Sequence, residues 1–431
     1  MRRVLFILYY FPPSGGPGVQ RGLKFIRYLP EFGWQPVVLT VREDAAFPVR
    51  DASLMQELPE GLIVRRSYCP ELYGAYRALT GRRATQSLDI TSQSRAEGGL
   101  RRRLMRWIRG TFFIPDGRMG WLPFGIRQGT RMIRDYDCQL LFSSGPPFTT
   151  HLIARGLHRR TALPWVADYR DPWTQATFYP SRPMIARRID LALESSCIRE
   201  AERNIVVGQT MVDEFRRRYG ELDPERFVII PNGFDPADFR GIPHAPPDQL
   251  RITHSGSLFG NRIPELFLQI VEELIEQEEG FADGVHLCFA GRLDDDMRAR
   301  LRRPPLDRVA ELPGYLPHRE SIRLLRRSSL LLLLIGRDAQ ARSMVTGKLF
   351  EYLASGVPIL TLGPHDGDAA RLVERTQAGW VFDHEDGEGL RKHLLNLWRT
   401  YRDRDTAARS RAAKTDATEP AALFGLHPDP T

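Results

Sequence analysis

Long hydrophobic runs are missing from this chain of 431 residues. The longest uninterrupted apolar run, Leu330 to Ile335, is far shorter than the roughly 20 residues that a membrane-spanning helix needs. Arg2 and Arg3 precede an apolar segment, as in a secretion signal, but Pro12 and Pro13 follow where a cleavage site with small residues would stand. The sequence therefore predicts no transmembrane helix, and it predicts that the first apolar segment is a buried strand.

Cysteine is also scarce. The four cysteines are far apart, lie in mostly apolar surroundings and show no spacing of paired metal ligands; they are Cys69, Cys138, Cys197 and Cys288. This usage argues against a zinc site and favours a reducing compartment. We therefore expect a cytoplasmic protein that binds no metal.

Acidic residues are outnumbered, because 61 lysines and arginines face 53 aspartates and glutamates. The net charge of +8 favours anionic partners but does not choose among them. Part of the excess lies in residues 101–113, where arginines alternate with apolar residues. This segment predicts either a helix at an anionic membrane surface or a solvated helix that packs on its own domain. No aromatic and basic recognition module for nucleic acid is visible.

Short apolar runs alternate with helical patterns, which is typical of parallel sheets in α/β proteins. The first series is Val4–Tyr10, Pro36–Thr40, Gln139–Ser143, Trp165–Ala167, Asn204–Val207 and Phe227–Ile230. The second is Arg251–His254, His286–Ala290, Arg308–Glu311, Leu330–Ile335, Pro358–Leu362 and Trp380–Phe382. Two such series predict two Rossmann-like, doubly wound domains with a cleft between them.

The domain boundary is predicted at the proline-rich stretch from Pro231 to Pro247. We assign residues 1–240 to an acceptor-side domain, 248–395 to a nucleotide-sugar domain, and 396–431 to the end of a last helix and a frayed tail. Residues 81–99 are polar and predict a mobile loop.

A glycine-rich loop follows the first predicted strand, and it includes Gly16 and Gly18. Such a loop at a helix N-terminus can bring backbone amides close to a phosphate, although a tight turn alone would also need glycines. An NAD site would add an acidic residue at the end of the second strand, where this chain has Thr40 and Val41. The pattern therefore predicts an anion site and disfavours a dinucleotide site.

A second loop of this kind opens the second half of the chain, with Gly256, Ser257 and Arg262 after a strand. Arg262 could neutralise a pyrophosphate. The strongest local pattern comes later, where Lys348 and Glu351 share one face of a helix that ends at a glycine before a strand. The carboxylate could accept from ribose hydroxyls and the lysine could meet a phosphate; alone, the two residues would be read as a surface ion pair.

These segments together resemble family 4 glycosyltransferases of bacterial polysaccharide assembly, over nearly the whole chain to about residue 400. The motifs that carry the resemblance are Tyr10-Phe11-Pro12-Pro13 with the glycine loop and Arg21, Phe32-Gly33-Trp34, Ser144-Gly145-Pro146-Pro147, Asp168-Tyr169-Arg170-Asp171-Pro172-Trp173, Ile230-Pro231-Asn232-Gly233, His254-Ser255-Gly256-Ser257, Gly291-Arg292, Gly314-Tyr315 and Lys348 to Pro358.

The resemblance implies a GT-B fold, a nucleotide-sugar donor, no cofactor, no bound metal and retention of anomeric configuration. It implies that Glu351 binds the ribose and that Arg262 and Lys348 neutralise the diphosphate. The other donor-side residues that we assign are Gly16, Gly18, Gly256, Ser257, Gly291, Tyr315, Gly347 and Leu349. The expected acceptor is a glycan or a lipid-linked sugar, and an anionic membrane at the inner face of the plasma membrane is a further expected partner.

Two departures from the family pattern affect the predicted chemistry. Ser343 stands eight residues before Glu351, where many members have a second glutamate for the donor sugar. A histidine that many members carry after the strand at Val166-Ala167 is replaced here by Asp168, Arg170 and Asp171. We name Asp168 as a catalytic candidate that orients the acceptor or the anomeric centre, with a structural cap or a partner for Arg170 as the alternative.

His151 is the second catalytic candidate, since it begins a predicted helix near the cleft; a satisfied or exposed histidine is the alternative. Arg21, Arg170 and Asp171 are assigned to the acceptor side. Asp294-Asp295-Asp296 resembles a metal-binding triplet, but its place between a strand and a helix favours helix capping. A nucleotide-sugar epimerase of the same architecture and a non-catalytic scaffold are the functional alternatives, and the sequence names neither the base nor the sugar.

Overall fold

The computed structural model describes residues 1–45, 47, 50–70, 107, 110–111, 113–175, 179, 182–245, 247, 249–258, 262–337 and 341–412. The predicted loop at 81–99 and the end of the predicted tail, beyond Ala412, lie outside these residues, and so does most of the predicted helix at 101–113. Among the helices of these ranges, none is both long and apolar enough to cross a bilayer.

The first sheet has seven parallel strands in the order β3-β2-β1-β4-β5-β6-β7. The strands are β1 (Arg2–Ile7), β2 (Trp34–Val41), β3 (Ile63–Ser67), β4 (Leu140–Gly145), β5 (Trp165–Tyr169), β6 (Arg203–Val206) and β7 (Phe227–Ile229). The apolar residues of the central strands are buried on both faces, and β1 shows this best, with Leu5, Phe6 and Ile7 fully buried.

The second sheet has six parallel strands in the order β10-β9-β8-β11-β12-β13. The strands are β8 (Leu250–Ser255), β9 (Val285–Ala290), β10 (Ala310–Gly314), β11 (Leu330–Leu334), β12 (Ile359–Leu362) and β13 (Gly379–Phe382). β11 consists of five buried leucines and lies between β8 and β12 at the centre of this sheet.

Helices connect the strands and cover the sheets. They are α1 (Pro17–Tyr28), α2 (Leu122–Asp135), α3 (Thr149–Thr161), α4 (Met184–Glu200), α5 (Gln209–Tyr219), α6 (Pro236–Phe239), α7 (Glu265–Gln277), α8 (Phe281–Gly284), α9 (Asp295–Leu301), α10 (His318–Arg326), α11 (Gly347–Ser355), α12 (Asp368–Arg375) and α13 (Gly387–Ala412). α2 and α3 pack closely, since a Cβ on Gly125 would lie 2.5 Å from Ile153.

In each sheet the strand order reverses beside the first strand, at β1 and β4 in one and at β8 and β11 in the other. In open α/β sheets a crevice for ligands forms at the carboxyl ends of such strands. The two loops predicted from glycines follow β1 and β8, so each occupies a crevice of this kind.

The predicted fold class is confirmed, and the twelve predicted strands are present with ends shifted by a few residues. The prediction missed β3, whose sequence includes Arg65 and Arg66. β3 is an edge strand that pairs only with β2 among the described strands, so it is half exposed and tolerates charges that break an apolar run. α11 ends as predicted, at Gly356 in the left-handed region (φ 71°), just before β12.

Candidate functional site

The two halves of the chain meet where the glycine loop after β1 faces residues of the second sheet. The hydroxyl of Tyr315, after β10, donates to Asp51 at 3.2 Å, and the nearby backbone amide of Gly16 acts to lower the pKa of this hydroxyl. Burial and Asp51 raise the pKa of Tyr315 to about 12. Gly16 (φ 88°) and Tyr315, both predicted on the donor side, are thus adjacent across the interface.

Lys348 lies in the first turn of α11, and its Nζ is 3.2 Å from Nε2 of His254 at the end of β8. Burial and the nearby charge of Arg262 lower the pKa of Lys348 to about 7, whereas Glu351 opposes the shift. An ammonium group in this position with so little compensation would gain strongly from an added anion.

Glycines after β8 and β9 make room for this lysine. A Cβ on Gly256 (φ 137°) would lie 2.3 Å from Nζ of Lys348, and a Cβ on Gly291 (φ 129°) would lie 2.4 Å from the carbonyl oxygen of Gly256. The backbone of the two loops therefore stacks directly, with the lysine against it. Gly256 and Gly291 were predicted as donor-side residues; Gly256 borders Lys348 here, and Gly291 borders the backbone of Gly256.

Arg262 is the third cation of the region. Within the described ranges, the one hydrogen-bond contact of its guanidinium group is from Nη2 to a thioether, Sδ of Met344 at 3.5 Å. Its charge lowers the pKa of both Lys348 in the second half and Asp171 in the first. Arg262 is therefore close enough to influence both sides of the cleft.

Glu351 follows Lys348 by one turn of α11. Its Oε1 is 3.8 Å from Nδ1 of His318, and about a quarter of its side chain is exposed. Burial raises the pKa of Glu351, and His318 opposes the shift. Nε2 of His318 is 3.1 Å from Asp238, so the predicted ribose carboxylate is linked to the segment that connects the two halves.

The remaining predicted donor-side residues are Gly347, Ser257, Leu349 and Gly18. Gly347 begins α11, and the hydroxyl of Thr346 just before it is buried with no hydrogen-bond partner. Ser257 is exposed after β8, whereas the side chain of Leu349 is fully buried in the core. Gly18 uses its carbonyl oxygen to accept from Arg170 at 2.8 Å. The helix N-terminus with Lys348 can bind an anion, and Leu349 contributes packing.

Asp168, on β5, is fully buried and fully engaged within the first half. It pairs with Arg21 at 2.9 Å and accepts from the hydroxyl of Ser144 at 2.6 Å. The alternative prediction, that Asp168 pairs with Arg170, is wrong, because the arginine that is hydrogen-bonded to Asp168 is Arg21. A contact between this carboxylate and a substrate would require these hydrogen bonds to break, and its catalytic role stays a prediction.

The two arginines predicted on the acceptor side connect loops through hydrogen bonds to backbone carbonyl oxygens. Arg21 donates to the carbonyl oxygens of Pro231 at 2.9 Å and Ile230 at 2.8 Å, besides its pair with Asp168. Arg170 donates to the carbonyl oxygens of Gly18, Gly145 and Pro146. Both guanidinium groups thus connect segments that are distant in sequence, and their charges are largely used by the protein.

His151 is fully buried near the start of α3. Its Nδ1 is 2.8 Å from the hydroxyl of Ser143, and its Nε2 has no hydrogen-bond partner in the part of the chain that the structure describes. Burial and Arg170 lower its pKa to about 3, so the imidazole is neutral. The geometry brings it to the loop after β4 but gives it no exposed surface.

Asp171 differs from its neighbours because no hydrogen bond or ion pair of its carboxylate is recorded within the described ranges. It is half-buried, and burial raises its pKa while Arg170 and Arg262 oppose the shift. Unlike those of Arg21, Asp168 and Arg170, its functional group has no hydrogen-bond partner among the described residues.

The acidic triplet after β9 behaves as predicted. Asp294 precedes α9, and its carboxylate accepts from the backbone amide of Met297 at 2.8 Å. The helix-capping interpretation is confirmed.

Sequence reasoning missed the histidines and carboxylates that support the site: His254, His318, Asp51 and Asp238. His254 stands inside a motif that was recognised, next to Gly256, so its position was a usable signal. His318 begins α10 and was not distinguishable from a surface histidine. Its hydrogen-bond partners Asp51 and Asp238 are 267 and 80 residues away in sequence, which only the fold reveals.

Comparison with known proteins gives the family and the fold of this chain. A model described as Glycosyltransferase Family 4 matches residues 19–238. A curated relative, a putative colanic acid biosynthesis glycosyltransferase named WcaL from Escherichia coli K12, is 25% identical over 173 residues. That match covers 39% of this chain and 41% of the relative, so the chain spans less than half of the relative's length.

Solved structures resemble nearly the whole chain. A sucrose-phosphate synthase from Thermosynechococcus elongatus has a TM-score of 0.58 at 13% identity and covers 94% of each chain. WaaG, a glycosyltransferase involved in lipopolysaccharide biosynthesis, has a TM-score of 0.57 at 15% identity and covers 96% of each. A variant of S. aureus TarM, in complex with fondaparinux, alpha-GlcNAc-glycerol and UDP, has a TM-score of 0.59 at 8% identity and covers 96% and 97%. At these identities the resemblance shows a shared fold.

Proposed function

This chain belongs to glycosyltransferase family 4, and on that premise we propose that it transfers a sugar from a nucleotide-sugar donor to a glycan or lipid-linked acceptor in bacterial envelope polysaccharide assembly. The description of the E. coli relative as a colanic acid glycosyltransferase supports the biological context. The UDP in the TarM complex supports a nucleoside diphosphate as the ligand of this architecture.

The observation that carries the proposal is the group of three charged side chains at the carboxyl end of the second sheet. Lys348, Arg262 and Glu351 converge there, and the protein itself satisfies none of them with a hydrogen-bonded opposite charge within the described ranges. The two cations would bind the diphosphate, together with the N-terminus of α11, and Glu351 would accept from the ribose hydroxyls.

Catalysis in this arrangement would be electrostatic. When the bond between the sugar and the diphosphate breaks, negative charge grows on the leaving oxygen, and Lys348 and Arg262 would stabilise it without a bound metal. The leaving phosphate would take the proton of the acceptor hydroxyl, so the new bond would form on the face that the diphosphate leaves and configuration would be retained. Asp171, near Arg262, would orient the acceptor hydroxyl, in preference to the fully engaged Asp168.

The outer surface of the first half suits a lipid-linked acceptor. Phe124, Arg127, Arg131 and Arg134 share the exposed face of α2, and with Arg160 the three arginines line a groove of about 380 Å³. Arginines beside an exposed aromatic ring are suited to phospholipid headgroups and the interface below them. We propose that this face contacts an anionic membrane.

Calorimetric titration of UDP, GDP, ADP and dTDP tests the donor site, with Glu351→Ala as the variant. We expect one nucleotide to bind selectively and the variant to bind it about tenfold more weakly, because contacts with the ribose hydroxyls are lost. Absence of binding to all four nucleotides at millimolar concentration would refute the donor site.

Turnover separates the remaining alternatives. The sugar derivatives of the selected nucleotide are incubated with and without lipid-linked acceptors, and the products are examined by NMR. A glycosylated acceptor with the donor's anomeric configuration is the expected result, and it should form in the presence of EDTA. Conversion of the donor to its epimer without acceptor would indicate an epimerase, and binding without any product would indicate a scaffold.

Sedimentation with phosphatidylglycerol vesicles tests the membrane face. We expect the double variant Arg131→Glu with Arg134→Glu to lose most of its association, because four charge units are reversed on α2. Arg302→Glu with Arg303→Glu, exposed on the second half, makes the same charge change elsewhere and is the matched control. Equal loss in both variants would mean that net charge alone drives binding.

A further inference from the structure

His254 occupies a position in which both ring nitrogens are used. The residue is buried at the end of β8, with Nδ1 2.9 Å from the carbonyl oxygen of Leu332 on the adjacent strand β11 and Nε2 3.2 Å from Nζ of Lys348. The carbonyl oxygen can only accept and an ammonium group can only donate. A neutral imidazole with its hydrogen on Nδ1 satisfies both neighbours at once.

The surroundings of Lys348 leave the ammonium group few other partners. In the part of the chain that the structure describes, His254 is the one recorded hydrogen-bond partner of Nζ. The backbone of Gly256 lies directly beside Nζ, since a Cβ on Gly256 would be 2.3 Å from that atom. The histidine therefore determines where the charge of Lys348 lies.

We infer that His254 is a positioning residue of the donor site: its neutral imidazole holds the Lys348 ammonium against the backbone of Gly256, where it faces the diphosphate of a bound nucleotide. The inference rests on the proposed function, since it assumes that Lys348 meets the diphosphate. It goes beyond that function by assigning a role to a buried residue that acts through Lys348.

The charges around Lys348 give this arrangement a measurable consequence. Arg262 from the loop after β8 disfavours its charged form and Glu351 on α11 favours it, whereas burial keeps the pKa of His254 well below its usual value and the imidazole neutral. With a pKa of about 7, much of Lys348 is deprotonated at pH 8. A diphosphate beside Nζ favours the ammonium form, so nucleotide binding at pH 8 should take up a proton.

Calorimetry at pH 8 in two buffers of different ionisation enthalpy measures both the affinity and the proton uptake. The probe is whichever of UDP, GDP, ADP and dTDP the wild-type protein binds most tightly. We expect uptake of about one proton in the wild type and none in Lys348→Met. His254→Phe keeps the ring shape but cannot accept, so its affinity should fall about tenfold and its proton uptake should drop towards that of Lys348→Met.

Two further variants control this experiment. His254→Gln retains an acceptor and should keep most of the affinity. His286→Phe changes a half-buried histidine on the neighbouring strand β9 and should alter neither quantity. If His254→Phe weakens binding while proton uptake stays at the wild-type value, His254 acts only through the fold and the inference is overturned; unchanged affinity and uptake would overturn it as well.

A measurement without nucleotide separates this inference from the proposed function. The chain has four lysines, Lys24, Lys348, Lys392 and Lys414, so the Nζ resonances of lysine labelled with ¹⁵N can be assigned with single variants. We expect the pKa of Lys348 to move by about one pH unit or more in His254→Phe. An unchanged pKa would overturn the role of His254 even if nucleotides bind, whereas a shifted pKa with no nucleotide binding would refute the donor site alone.

Discussion

The loops after β1 and β8 look alike in sequence, but the charged residues around them differ in their hydrogen bonds. The two arginines around the first loop are bonded to carboxylate or carbonyl oxygens of the protein, whereas the lysine and the arginine proposed to bind the diphosphate at the second have no oppositely charged hydrogen-bond partner among the described residues. Around the first loop, Arg21 is paired with Asp168 at 2.9 Å and Arg170 donates to three carbonyl oxygens. Around the second, Lys348 contacts a neutral histidine and Arg262 a thioether. Each loop has a glycine at positive φ and opens a crevice at the reversal of strand order.

This difference distinguishes a structural connection from a binding site. A buried charge with all its hydrogen bonds made within the protein stabilises the conformation that makes them, and it offers little to a ligand. A buried charge left without a partner costs free energy that a ligand of opposite charge can recover. We therefore assign the donor to the second loop and regard the charges of the first as mainly structural.

The largest expected effect concerns the buried pair of the first half. Asp168→Ala should lower the free energy of unfolding by about 3–5 kcal/mol, because Arg21 would remain buried without its carboxylate. Glu351→Ala, on α11 near the second loop, should change it by less than about 0.5 kcal/mol. Urea unfolding followed by tryptophan fluorescence measures both. Comparable losses in the two variants would remove the contrast between the loops.

The next effect is on nucleotide affinity. Lys348→Met should weaken binding of the selected nucleotide about 10- to 100-fold, since a charged hydrogen bond to phosphate is lost, and should not reduce stability. Arg21→Met should do the reverse, with a lower free energy of unfolding and an affinity within about threefold of the wild type. Titration calorimetry and urea unfolding of the same two proteins measure these opposite effects on affinity and stability. Loss of nucleotide binding in Arg21→Met would contradict the expectation.

The two glycines provide a smaller and more local comparison. Gly16→Ala and Gly256→Ala both place a Cβ on a residue with positive φ, at a cost of about 1–3 kcal/mol in backbone strain. Only the Cβ of the second collides with Lys348, whereas nothing lies within 4 Å of the first. Nucleotide affinity should fall about tenfold in Gly256→Ala and much less in Gly16→Ala. Similar affinities in both variants would argue against contact between Lys348 and the diphosphate.

The smallest expected effect is a pH dependence across the interface of the two halves. Asp238 and Glu351 raise the pKa of His318 although burial opposes them, so the folded protein binds the proton more tightly than the unfolded chain. The stabilisation from this interaction is complete below about pH 6.5, which is the pKa of a histidine in the unfolded chain. It is lost as the pH rises through the pKa of His318 in the folded protein. We expect less than about 1 kcal/mol, seen as the difference between wild type and His318→Gln. A difference that grows with rising pH would contradict the assignment.

Much of the fold was predictable because strand burial leaves a direct trace in sequence. Runs such as Leu330 to Leu334 can only be buried on both faces, and their alternation with helices implies parallel sheets. The edge strand Ile63–Ser67 left no such trace, since its exposed positions accept arginine. Strand order was not readable from any run and required the hydrogen-bonded pairing.

The candidate site was predictable where residues that act together are neighbours in sequence, as Lys348 and Glu351 are on one face of α11. It was not predictable where partners are distant. Asp168 was named as catalytic from its motif, but its partners Arg21 and Ser144 come from other elements. Asp171, three residues later in the same motif, has a carboxylate without a hydrogen bond or ion pair among the described residues.

The sequence by itself determined the two parallel sheets, the glycine loops at their first strands and the chemical types of the residues around them. These properties follow from local patterns of apolar, glycine and charged residues. Only the tertiary structure decided which charges are already satisfied, because hydrogen bonds such as Arg21 to Asp168 and His254 to Lys348 join residues 147 and 94 positions apart. The free energy of a buried charge depends on those partners, and so does the distinction between the first loop and the proposed binding loop.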